Sequence, residues 1–115
     1  MSLTSEIKGL LTSVSNVYIG SMPATPDQCV CIYNTGGYNR SLSGTELEEP
    51  TFMVKVRAAT YSAGETACNT IKDLLHGATT TKLLMIQQQG DIQDIGRDEN
   101  NRPEFTMNFR TYIRR

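Results

Sequence analysis

Residues 51–77 read TFMVKVRAATYSAGETACNTIKDLLHG. The first ten alternate: Phe52, Val54, Val56 and Ala58 fall on one side of an extended chain, and Met53, Lys55, Arg57 and Ala59 on the other. The apolar set is the expected core face. The second set, with two cations, is expected to meet water or a partner. From residue 62 the period becomes helical. Ala67, Ile71, Leu74 and Leu75, helped by Cys68, form a stripe predicted to be buried along a helix over 62–77. Ser62 and Glu65 have the spacing of a capping box, in which each side chain satisfies a free amide of the first turn. Gly77 suits the C-terminal stop, and His76 stands where the helix dipole favours a cation.

Upstream, Ile7, Leu10, Leu11 and Val14 recur at helical spacing and predict a first helix over 4–15. Gly9 weakens it by up to about 1 kcal/mol relative to Ala, so packing on a sheet must hold it. Residues 17–20 read as a short extended piece and 22–27, with two prolines, as a loop. The run Cys-Val-Cys-Ile-Tyr-Asn at 29–34 predicts a strand, and 35–50, with three glycines and three glutamates, a long polar loop. Downstream, 82–89 reads as a strand and 90–103 as a second polar loop. In 104–114, Phe105, Met107, Phe109, Thr111 and Ile113 alternate with Thr106, Asn108, Arg110, Tyr112 and Arg114. The last two strands are expected to pair as an antiparallel hairpin. Strands grouped around two helices predict an α+β fold: a mainly antiparallel sheet, both helices packed on one face, and two long polar loops.

The chain has 115 residues, which predicts one domain spanning 1–115. A net charge of −1 removes the basic excess expected of a general nucleic-acid binder. Cys29, Cys31 and Cys68 are odd in number and irregular in spacing, so packed thiols are expected rather than a disulfide framework. No secretory leader or membrane-spanning run is evident, and synthesis in the cytoplasm is the expectation.

The sequence offers little to a catalyst. His76 is the one histidine, and neither a nucleophile–base pair nor a nucleotide-binding glycine motif accompanies it. Asp91, Asp94, Asp98 and Glu99 lack the ligand spacing of a calcium loop. Glu46, Glu48 and Glu49 lie in a segment with nothing to hold them at a fixed separation, as general acid–base work requires. No enzyme, metal or cofactor is therefore expected. Arg110, Arg114 and Arg115 form a small basic patch that shares a predicted sheet face with Lys55 and Arg57. The acidic segment 46–49 and this basic strand could complement each other between neighbouring copies, and head-to-tail contacts of that kind close into rings.

One combination of segments is familiar. The strand ending Asn34-Thr35-Gly36-Gly37, the run Pro50-Thr51-Phe52-Met53-Val54-Lys55-Val56-Arg57-Ala58, the stretch Gly-Arg-Asp-Glu-Asn-Asn-Arg at 96–102 and the closing Phe105-Thr106-Met107-Asn108-Phe109 resemble the bacteriophage minor capsid protein family over Asp27–Arg115. That resemblance implies a tail terminator, which joins tail to head. It implies an α+β subunit of a hexameric ring that caps the tail tube, meets the tail tube protein and the head connector protein, and lets DNA pass through its opening without catalysis, cofactor or membrane. Loops 36–49 and 90–102 would then lie at ring contacts or project toward tube or lumen. Together with the charge argument, this makes Arg40, Glu46, Glu48, Glu49, Asp91, Asp94, Arg97, Asp98, Arg110 and Arg114 the candidate interface residues. A head-completion or connector stopper protein and a small ligand-binding regulatory domain are the competing readings. The latter needs a concave apolar pocket.

Overall fold

The computed structural model describes residues 3–38, 47–80 and 83–114. Seven elements follow one another: α1 (Leu3–Leu10), β1 (Val17–Ile19), β2 (Cys29–Tyr38), β3 (Leu47–Arg57), α2 (Tyr61–Leu75), β4 (Leu83–Arg97) and β5 (Pro103–Arg114). The strands form one sheet in the order β1-β2-β3-β5-β4, antiparallel except for the parallel pair β1–β2.

The predicted alternation decides the layering. Phe52 pairs with Phe109, Val54 with Met107 and Val56 with Phe105, so six large side chains meet on one face. The Phe52 and Phe109 rings stack at 5.1 Å. Both helices lie on that face: Leu3 and Ile7 from the first, Leu11 just after it, and Cys68, Ile71 and Leu75 from the second join the strand residues in one core. Burying Ile7 and Leu11 is worth roughly 1.5–3 kcal/mol each, which outweighs the cost of Gly9.

Several boundaries differ from expectation. α1 ends at Leu10, and the chain continues in turns where Leu11 N donates to Lys8 O and Val14 N to Leu11 O. α2 begins at Tyr61, so the cap is Thr60, whose Oγ1 accepts from Ala63 N at 3.1 Å, and the Ser62–Glu65 box is not used. The Tyr61 ring packs edge-on against Phe105 at 5.0 Å, which draws the helix start onto the sheet. Leu74 leaves the predicted stripe and stands 36% exposed, while Gly64 joins it against the Phe105 ring.

Where they are described, both polar loops are largely strand. Residues 35–38 and 47–50 extend β2 and β3, and the remainder of the first loop lies outside the described residues. Residues 90–97 continue β4, with register shifts between Gln89 and Gln93 and between Asp94 and Arg97. Gly90 (φ 75°) and Gly96 (φ 95°) take the backbone conformations those irregularities need. An outer strand exposed on both sides carries no apolar alternation, so its sequence resembles a loop.

Candidate interaction surfaces

The face of the sheet away from the helices is the first surface. A parallel pair cannot be joined by a tight turn, so the segment 20–28 between β1 and β2 must return across this face. Arg57 pins it. Its Nη2 donates to Pro26 O at 2.7 Å and lies 3.1 Å from Cys29 Sγ, and its Nε donates to Asp27 O at 3.1 Å. The expectation that Arg57 meets water is thereby overturned: it is 4% exposed, since a guanidinium supplies the several donors that three acceptors need. Lys55 remains accessible and pairs with Glu104 at 3.3 Å.

The turn after β4 grips the same segment. Arg102 donates through its backbone N to Asp98 Oδ1 and through Nε to Asp98 Oδ2, both at 2.8 Å, and through Nη1 to Ala24 O at 2.7 Å. It also pairs with Asp27 at 3.2 Å. Burial raises the Asp98 carboxyl, but the hydrogen bonds and charge of Arg102 outweigh it and hold the group below the usual carboxylate range. Between this turn, segment 20–24 and the sheet lies a groove of about 740 Å³ lined by Met22, Tyr33, Lys55, Glu99 and Glu104. Burial, followed by the neighbouring Cys31, pushes the Tyr33 hydroxyl up to about 12. The groove mixes both charges around buried arginines already committed to the fold, unlike the apolar pocket a small-molecule domain needs.

Eight of the ten candidate interface residues are described, and they separate into three places. Arg40 and Glu46 lie outside the described residues. Glu48, Glu49, Arg110 and Arg114 belong to the end of the sheet formed by β2, β3 and β5. Leu47 is opposite Arg114, Glu48 opposite Ile113, and Thr51 opposite Arg110. The acidic and basic segments therefore already adjoin within one copy. Asp91 and Asp94 sit on the far half of β4, where a groove of about 280 Å³ runs between that strand and α2, lined by Tyr61, Glu65, Asn69, Lys72 and Ile92. Arg97 is exposed and donates to Asn101 O at 2.9 Å, and Asp98 is bound to Arg102 as described.

Sequence reasoning missed Arg102 and Asp27, whose roles depend on a segment returning across the sheet. It also did not foresee the hydrogen-bond partner of His76. The imidazole lies at the end of α2, but its Nδ1 accepts the backbone amide of Gln88 at 3.1 Å.

The fold is two-layer α+β, and many of its charged side chains are spent on holding segments together. The sequence model of a family described as "Bacteriophage tail terminator protein" matches residues 6–115. The chain belongs to that family and is a structural protein of the phage tail. Among solved structures, a chain of the virion of a native gene transfer agent particle shares the fold, with a TM-score of 0.63 and 13% sequence identity over 100% of this chain and 87% of that one. No curated protein matches the sequence.

Proposed function

We propose that this chain is the subunit of a closed ring that stops growth of the tail tube and joins the finished tail to the head. The family match across nearly the whole chain carries the reading. In it the partners are further copies of the chain, most simply six, together with the tail tube protein on one side and the head connector on the other. DNA passes through the opening without base-specific contacts, and the work is done by shape and interface energy, without catalysis or cofactor.

Among the described residues, the surfaces assigned to ring contacts are the arm formed by the ends of β2, β3 and β5, whose strands carry positions Glu48, Glu49, Arg110 and Arg114, and the α2–β4 groove bearing Asp91 and Asp94. Because the two signs adjoin on the arm within one copy, its contact with a neighbour is a mixed-charge surface rather than an acidic patch meeting a basic one.

Light-scattering mass across a concentration series, with negative-stain images of the same samples, tests the proposal. Rings of about six copies with a central opening are expected, alone or on tail tubes added as template. Replacing Glu46, Glu48 and Glu49 by lysine should weaken the assembly. A chain that stays monomeric even with tubes present, and leaves their length unchanged, would refute the ring.

A further inference from the structure

β4 is an outer strand, and many backbone groups that it turns away from β5 are occupied by its own chain. Leu83 N donates to Thr80 Oγ1, and Leu83 O accepts from Thr80 N, both at 3.0 Å. Ile86 O accepts from Gly77 N at 2.7 Å, and Gln88 N donates to His76 Nδ1 at 3.1 Å. Residues two apart on a strand turn their backbone groups the same way, so Ile86 and Gln88 both face outward. Farther along, Ile92 N donates to Asp91 Oδ1 at 2.7 Å and Gly96 N to Asp94 Oδ1 at 2.8 Å. At the opposite side of the sheet, β1 covers β2 over Val30–Ile32. Beyond it, Gly36 N donates to Asn34 Oδ1 at 2.8 Å.

An unpaired sheet edge is a template for a strand of another chain, and proteins that must avoid such pairing blunt it. The His76 ring is not needed to end α2, because His76 N donates to Lys72 O and Gly77 takes φ 78°. What the ring adds is an acceptor for an edge amide.

We infer that His76 is a guard on the β4 edge, closing it to strand addition so that copies and other virion proteins engage this subunit through side-chain surfaces. The inference stands on the edge geometry and does not depend on the ring reading.

Substitution at His76 in the full chain tests it. In His76→Ala, exchange of the Gln88 amide should speed by roughly fivefold to tenfold, the loss of one hydrogen bond. Open-ended assemblies heavier than any wild-type species should then grow with concentration and give an intermolecular β-sheet infrared band. His76→Asn, whose Oδ1 replaces Nδ1 as acceptor, should restore both properties. His76→Ala combined with Gln88→Pro, which deletes the exposed donor, should stay at the wild-type mass. His76→Leu keeps bulk over the strand and gives the same reading if the alanine variant loses its fold. Wild-type mass throughout in the variants lacking the acceptor would overturn the proposal, as would association of the double variant equal to that of the single.

Discussion

Gly64 of α2 lies directly against the ring of Phe105 on β5: a Cβ at Gly64 would overlap Phe105 Cε1 and come within 3.1 Å of Cζ. The contact lets the first turn of the helix settle on the sheet, with Tyr61 against the same ring. Alanine here brings the better helix propensity, about 1 kcal/mol, but forces helix and ring apart, and overpacking of this kind typically costs about 1–3 kcal/mol. Gly64→Ala should therefore destabilise the fold by up to about 2 kcal/mol in urea denaturation. The double variant Gly64→Ala/Phe105→Leu should show a non-additive recovery.

Gly9 presents the opposite case. It is helical, and a Cβ there meets nothing within 4 Å. Gly9→Ala should stabilise the chain by about 0.5–1 kcal/mol through the unfolded state and the last turn of α1. A midpoint unchanged or lowered in the same denaturation assay would show that α1 does not limit stability.

The difference between these glycines marks what was legible in the sequence. Phe52, Val54, Val56 and their counterparts on β5 were readable, because alternation reports directly which side of a strand is buried. Gly64 was not, because its importance lies in the ring of Phe105, on a strand far along the chain. The polar segment 90–97 read as loop for a related reason: an outer strand is held by main-chain bonds, which leave no apolar period. Of the candidate interface residues, Glu48, Glu49, Arg110 and Arg114 were recognisable as two charged segments, but their adjacency depends on β3 pairing with β5. The pin at Arg57 was hidden by a period-two pattern that assigns its side of the sheet to solvent, with no sign of the segment that covers it.

That pin makes a sharp test. Arg57→Ala removes the guanidinium donors of Pro26 O and Asp27 O, and leaves Pro26 O with the Cys29 thiol alone. Both bonds are partly buried, and hydrogen bonds to a charged donor contribute about 1.5–3 kcal/mol each. A loss of about 2–4 kcal/mol in denaturation, with faster proteolysis within 20–28, is expected. Arg57→Lys should recover only part of the loss, since an ammonium cannot reach three acceptors in the guanidinium's plane.

At low pH the Asp98–Arg102 clasp should be the sensitive element. The folded carboxyl lies below its unfolded range, so the native state binds fewer protons there. Its contribution is present above the unfolded carboxylate range and is lost as pH falls through the folded value. Asp98→Asn should reduce stability at neutral pH and flatten the acid limb of the stability curve. A variant whose acid limb runs parallel to that of the wild type would remove the clasp from the account.

Alkaline behaviour should report Cys68. Burial, with a smaller contribution from Glu65, pushes this thiol from 9.0 up to about 12. The folded state therefore holds a proton that the unfolded chain releases first. The neutral thiol's contribution is complete below about 9 and is lost as pH rises toward about 12. Cys68→Ala deletes the titrating group at the expense of a small cavity, a loss that does not vary with pH. Its stability curve should start lower than that of the wild type at pH 7 and fall less steeply above 9, with Tyr33 supplying part of the remaining slope in both proteins. Equal slopes in the two proteins above pH 9 would mean that Cys68 meets solvent before it ionises, through opening of α2 from the sheet.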